Sequence, residues 1–267
     1  MGFRNNNLIL NIPHSSTWIP DDSRKAFVID DQELRNELLV MTDWYTDELF
    51  DHRIGNAVIA PVSRLVCDTE RFSHNAMEPM SERGMGFCYT HGSRKQIIKM
   101  IDSAYSDEIL WRYYAPHHIA LTDAVETAIR ETGSALVLDC HSFSSHPLPY
   151  EPEQGKSRPD ICIGTDGFHT SEDLEASAVD FYKSKGFRVK VNNPYSGSIV
   201  PLRYYGKDKR VSGIMVEVNR SLYMDEKTGR KRRRFDDIKE VIKEFEATIA
   251  MPENNYCGNM VRRQDMR

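Results

Sequence analysis

An apolar run, Ala135-Leu136-Val137-Leu138, stops on Asp139-Cys140-His141-Ser142, four groups able to ionise, coordinate or hydrogen-bond. The run has the character of a buried strand over residues 134–139. Ligands of open α/β sheets sit at the carboxyl ends of strands, so chemistry is expected there. His14 holds the same kind of place after a first strand, residues 8–12, in Asn11-Ile12-Pro13-His14-Ser15-Ser16. Two histidines at two strand ends supply half of a metal site. Two unrelated hydrogen-bonding histidines are the alternative, and position alone leaves both open.

Glu217 lies inside Ile214-Met215-Val216-Glu217-Val218. Strand alternation puts Met215, Glu217 and Asn219 on one face and Val216 and Val218 on the other. A carboxylate in that setting is costly unless paired, protonated or functional. Glu217 is therefore a candidate general base, or else half of a buried salt bridge. Arg64 and the run Asp68-Thr69-Glu70-Arg71 add guanidinium forks that suit carboxylates, or form surface ion pairs. Cys140 is flanked by Asp139 and His141. On an extended chain it faces away from His141 and into packing, so no cysteine nucleophile is expected.

These groups need a frame. Residues 31–51 read as a helix with Leu34, Leu38, Leu39, Trp44 and Leu49 on or near one face. Residues 57–60 and 65–66 read as short strands around Pro61. A helical stretch follows over 93–130, broken at Pro116. Strands are expected at 161–163, 188–191 and 214–218, with helices at 171–185 and 236–250. Strands alternating with helices predict an α/β fold with a parallel or mixed sheet. Segments 76–92, 144–160 and 192–212 are long, and long structured loops in such a domain usually build a site.

Hydrophobic residues make up 40% of the 267 positions and charged residues 28%, with a net charge of −5. A packed core is expected, and the acidic balance argues against a nucleic-acid partner. Asp225, Glu226, Asp236 and Asp237 offset the basic run Arg230-Lys231-Arg232-Arg233-Arg234, which reads as a solvated loop. No apolar run approaches the ~20 residues of a membrane span, and no secretory signal is expected. Five cysteines, at 67, 88, 140, 162 and 257, form no Cys-x-x-Cys pair. That usage predicts a reduced, cytoplasmic protein.

Taken in order, several motifs resemble the N-formylglutamate amidohydrolase family. They are Asn11-Ile12-Pro13-His14-Ser15, Thr42-Asp43-Trp44, Ser63-Arg64-x-x-x-Asp68-x-x-Arg71 and Asp139-x-His141-Ser142, followed by Pro159-Asp160-x-x-x-Gly164-Thr165, Arg203-x-Tyr205-Gly206 and Glu217-x-x-x-x-x-Tyr223-Met224-x-Glu226. The resemblance runs from residue 11 to 226. It implies one catalytic domain, residues 1–267, built as a three-layer α/β/α sandwich around a central mixed sheet and related in fold to zinc carboxypeptidases. The implied activity is zinc-dependent hydrolysis of an N-acyl amino acid, typically N-formyl-L-glutamate to formate and L-glutamate. A zinc amidase or carboxypeptidase acting on another peptide is the runner-up, and a non-catalytic ligand-binding member the third reading.

The resemblance also implies roles. One zinc per chain would be held by His14, His141 and Asp43, with Asp47, one helical turn on, as the rival carboxylate. Thr17 stands where the carboxypeptidase pattern has its glutamate, so the third ligand must come from elsewhere. Asp139 or Ser142 would orient the ligands. Glu217 and Arg71 would be catalytic, and Arg64, Arg203, Asn193 and Tyr205 would bind substrate. Segment 195–201 is longer than the family's glycine-rich turn, which leaves the acyl group and side chain open. The expected partner is a small molecule, with no nucleic acid and no membrane; the oligomeric state is open.

Overall fold

The computed structural model describes residues 7–50, 55–151, 154–155 and 157–250. Asp51, Cys257 and the first residues of the chain, which the sequence reading also used, lie outside them. Strand β1 (Leu8–Ile12) leads through a short helix, α1 (Asp21–Arg24), to α2 (Asp31–Met41), α3 (Thr46–Leu49) and β2 (Asn56–Ile59). Helix α4 (Ser103–Ile109), a π turn over Leu110–Tyr114 and α5 (Ala115–Thr132) precede β3 (Ala135–Phe143). Then come β4 (Ile161–Gly164), α6 (Glu172–Ser184), β5 (Val189–Val191), β6 (Val211–Asn219) and α7 (Phe235–Ile249).

The six strands form one sheet in the order β2-β1-β3-β6-β4-β5. Four run parallel, and β4 meets β6 antiparallel, carrying β5 with it. The sheet is mixed, as expected. Even-numbered side chains of β1, β3 and β6, among them Leu10, Leu138, Cys140, Val216 and Val218, pack under α3, α6 and α7. Cys140 thus faces the core. The other face carries Ile9, Ala135, Val137 and Val211 against Leu121, Val125 and Ala128 of α5. Helices cover both faces, which makes three layers. Fully burying each large aliphatic side chain stabilises by about 1.5–3 kcal/mol, so these two layers hold the frame. Further along the α5 face the apolar residues give way to Asn11, Asp139, His141 and Glu217, all buried. Polar groups in those places forgo that stabilisation.

Several expected elements change. The helix expected over 31–51 splits. Asp30 and Glu33 form a reciprocal capping box at the start of α2, but the chain leaves the helix at Thr42. Asp43 N–H instead donates to the His14 carbonyl at 2.9 Å. Tyr45 takes a left-handed conformation (φ 67°), unusual for a bulky residue, and α3 starts after it. Residues 65–66 are a buried turn, not a strand. Residues 93–102 are not helical either: Met100 N–H bonds the Ala26 carbonyl, and the buried Lys99 ammonium donates to the carbonyls of Leu65 and Val66 at 2.8 and 3.4 Å. Asp102 caps the helix that does form, accepting from Tyr105 N–H. The break comes at the π turn, and Pro116 sits in the first turn of α5, where a missing N–H is tolerated. Strand β3 runs on to Phe143 because β6 pairs with it throughout, His141 beside Glu217 and Phe143 beside Asn219. Among the described residues no helix is long and apolar enough to cross a membrane, and Cys67, Cys88, Cys140 and Cys162 are free and buried.

Candidate active site

Strand ends bring the first-named residues together. His14 follows β1 by two residues, His141 lies near the end of β3, and Asp43 occupies the break between α2 and α3. His141 Nδ1 is 3.1 Å and His14 Nδ1 3.6 Å from the same oxygen, Asp43 Oδ2, and the two imidazole rings stand 5.2 Å apart. Tetrahedral zinc with bonds near 2.1 Å places its ligand atoms about 3.3–3.5 Å apart, and those two spacings bracket that range. His14 Nδ1 is buried and has no hydrogen-bond partner among the described residues. That orphaned nitrogen costs free energy as it stands and is what a metal ligand looks like without its metal. All three residues are buried.

The other ring nitrogens are held from behind. His14 Nε2 meets Asp68 Oδ1 at 2.8 Å. Asp68 also accepts from Arg64 Nη2 at 2.8 Å and from the Tyr89 hydroxyl at 2.7 Å. Burial raises the Asp68 carboxyl, but the charges of Arg64 and His14 outweigh it and hold the group well below its ordinary range. His141 Nε2 meets Asp139 Oδ1 at 3.0 Å and Glu70 Oε2 at 3.1 Å. Asn11 Nδ2 donates to both of those carboxylates, at 2.9 and 2.8 Å, and its carbonyl oxygen faces His117 Nε2 at 2.9 Å. Histidine ligands backed by carboxylates are oriented and made more basic. Glu70, Asp139 and His141 form a second group with metal-like spacing, but those carboxylates already accept from Asn11 and, for Asp139, from Ile199 N–H at 3.1 Å. The orphaned nitrogen belongs to the first group, which is the better fit for an ion.

Asp43 and Glu217 differ sharply. Asp43 Oδ1 accepts from Arg220 Nη2 at 2.7 Å. Burial pushes its carboxyl up, but the adjacent His14 and His141 imidazoles and the charge of Arg220 hold it well below the carboxylate range. Glu217 has no such support. Its Oε2 is buried without a partner, and burial pushes the carboxyl up to about 8.

His14, Asp43, Glu70, Asp139, His141, Glu217 and Arg220 line one cavity of about 680 Å³. Arg64, Arg71 and Tyr205 line it too, as does segment 195–200. Arg203 does not: its guanidinium pairs with Glu126 on α5, and its side chain is 68% exposed. Asn193 also lies outside the lining, with its side-chain oxygen 3.3 Å from Lys190 Nζ. Asp47 is exposed on α3, which leaves Asp43 as the carboxylate beside the histidines. Sequence reading gave no role to Asn11, Glu70, His117 or Arg220. Asn11 and Arg220 each sit within a few residues of a named group, at a strand end, and that was the available signal.

Fold and site together define a class: an α/β protein with a candidate histidine–carboxylate metal site at the carboxyl ends of its central strands. The chain belongs to the N-formylglutamate amidohydrolase family, whose sequence model matches residues 6–224. It is 24% identical over 241 residues to an N-formylglutamate deformylase of Pseudomonas putida, spanning 82% of each chain. It is 25% identical over 231 residues to the N-formylglutamate deformylase of Pseudomonas aeruginosa, again over 82% of each. The crystal structure of an N-formylglutamate amidohydrolase from Ralstonia eutropha shares the fold, with a TM-score of 0.79 at 24% identity over 91% of this chain and 92% of that one. A gene product of Agrobacterium tumefaciens is more distant, with a TM-score of 0.62 at 17% identity over 93% and 95%.

Proposed function

We propose that this chain is one catalytic domain that hydrolyses the amide bond of an N-acyl amino acid, with zinc as its metal and N-formyl-L-glutamate as the leading substrate. The observation that carries the reading is the orphaned His14 Nδ1 facing Asp43 Oδ2, with His141 Nδ1 on the same oxygen. The relatives' names support the choice of substrate. His14, His141 and Asp43 would hold the ion, which when bound polarises an amide carbonyl and acidifies water.

This chain's own groups do the rest. Asp68, Asp139 and Glu70 fix the two imidazoles. Glu217 Oε2 faces no donor, so it is available to take a proton from water and return it to the leaving amine. Arg64 and Arg71 line the cavity, each held by Asp68, Arg64 through Nη2 at 2.8 Å and Arg71 through Nε at 3.6 Å, and the rest of each guanidinium can meet a substrate oxygen. Phe72, Met80 and Leu148 add apolar surface to the lining.

The test is formate release from N-formyl-L-glutamate by the zinc-loaded protein, beside metal analysis of His14→Ala and His141→Ala. The expected result is turnover by the wild type and loss of zinc from both variants. Full metal retention in both would place the ion elsewhere. Arg71→Lys supplies a second expectation. Lysine cannot reproduce the guanidinium fork, and a lost hydrogen bond to a charged group lowers kcat/KM about ten- to a hundredfold for acidic N-acyl substrates. Unchanged kinetics in Lys variants of Arg64 and Arg71 alike would remove the two arginines from substrate binding.

A further inference from the structure

Phe143 lies two residues beyond His141 on β3, hence on the same face and about 7 Å further along. The Arg158 guanidinium stands over its ring at 5.6 Å, and the Tyr195 ring meets it edge-on at 5.9 Å. The Arg158 side chain is only 5% exposed, yet it lines the same cavity as the histidines. Its Nη1 donates to the Ser144 carbonyl at 3.0 Å and lies 3.3 Å from the Tyr195 hydroxyl. Its Nη2 pairs with Glu151. Glu151 in turn accepts from the Tyr195 hydroxyl at 2.5 Å and from Leu148 N–H at 3.0 Å. The Tyr195 carbonyl accepts from Cys162 Sγ at 3.3 Å, and Cys162 is the residue opposite Glu217 in the sheet. The cluster therefore borders the Glu217 side of the cavity, about one amino-acid side chain away from the candidate metal ligands.

We propose that Glu151, by occupying the Arg158 guanidinium, sets the charge selectivity of this end of the cavity. The assignment rests on the reading of the chain as a hydrolase of N-acyl amino acids and names the pocket that discriminates among their side chains. A buried guanidinium is the natural receptor for a carboxylate. Here the protein fills that receptor with a carboxylate of its own and adds a phenol hydroxyl. A second, substrate carboxylate meets a neutralised cation and the like charge of Glu151, whereas a neutral amide of the same shape meets hydrogen-bonding partners without repulsion. The pair thus limits the preference for an acidic side chain, and removing either member tips the balance in a direction fixed by the charge left behind.

The experiment compares kcat/KM for N-formyl-L-glutamate and N-formyl-L-glutamine, two substrates of one shape and different charge, using the zinc-loaded full chain. Glu151→Gln frees Arg158 and should raise the glutamate-to-glutamine ratio about tenfold or more. Arg158→Gln leaves Glu151 uncompensated and should lower the ratio by a similar factor. The double variant, which removes both charges, should bring the ratio back to that of the wild type. Opposite signs in the two single variants are the signature, and either one alone carries the test if the other folds poorly. A pair that only props up the loop would slow both substrates equally; a ratio within about twofold of wild type in the single variants would overturn the proposal. Should the wild type hydrolyse neither substrate, the hydrolase reading falls and this assignment falls with it.

Discussion

Replacing Glu217 by glutamine is expected to lower kcat by ~10²–10⁴ while the protein keeps its metal and its fold. Glutamine preserves shape and can still donate and accept, but it cannot take a proton from water. The competing account makes Glu217 the buried partner of an arginine, whose loss would cost roughly 3–5 kcal/mol. Contacts in the structure oppose that account. Arg220 spends its guanidinium on Asp43, Ser142 and Val40, and Arg64 on Asp68, while Glu217 Oε2 has no partner. A stability test separates the two readings independently of rate. Burial raises the Glu217 carboxyl from 4.5 to about 8. Between those values the folded, metal-free protein holds a proton that the unfolded chain has released. Its stability therefore falls as pH rises through that window, and glutamine removes the dependence. Metal-free Glu217→Gln should melt higher than wild type near pH 8, with a smaller difference near pH 5. A zinc-loaded variant with wild-type turnover on its proper substrate would sink the mechanism.

Local pattern carried the sheet and left the polar net behind it unread. Strands β1, β3, β4 and β6 are short apolar runs between turn residues, and a buried run of that kind is visible in one dimension. The break at Asp43 was not. Residues 31–51 have helical periodicity, and the chain departs from it because Asp43 N–H finds the His14 carbonyl and its carboxylate finds Arg220, partners distant in sequence. Helicity misassigned to 93–102 failed for a similar reason: Lys99 is drawn inward by two carbonyls of a distant turn. Among the candidate site residues, strand ends pointed to His14 and His141, a carboxylate inside an apolar strand to Glu217, and the family resemblance to Asp43. Asn11 was quoted within a motif, but nothing local says that its amide would bridge Glu70 and Asp139. Arg203 shows the converse error. Its motif placed it near substrate, whereas Glu126 on α5 pairs with it at the surface.

Asp43→Asn should remove the metal and destabilise the protein, and the two losses can be separated. One carboxylate serves two masters: Oδ2 faces the two histidine nitrogens, and Oδ1 holds Arg220. Asparagine offers one neutral oxygen in place of two charged ones. Metal affinity should fall by more than the ~10–100-fold that loss of an outer-shell partner costs, since this oxygen would itself be a ligand. Arg220 keeps hydrogen bonds to Ser142 and to the Val40 carbonyl, but its charge is left uncompensated. That places the cost near the low end of the roughly 3–5 kcal/mol for breaking a buried pair. At about 2–4 °C per kcal/mol for a chain of this size, the metal-free variant should melt roughly 6–12 °C lower than metal-free wild type. Adding Arg220→Met removes the stranded charge and should recover most of that stability without restoring metal binding, because buried pairs replaced together by apolar groups are often neutral or stabilising. His14→Ala, by contrast, should lose metal while leaving the Asp43–Arg220 pair intact. Full metal content in Asp43→Asn would return the third ligand position to another carboxylate. Recovery of metal binding in the double variant would mean that Arg220, and not the lost carboxylate, had been the obstacle.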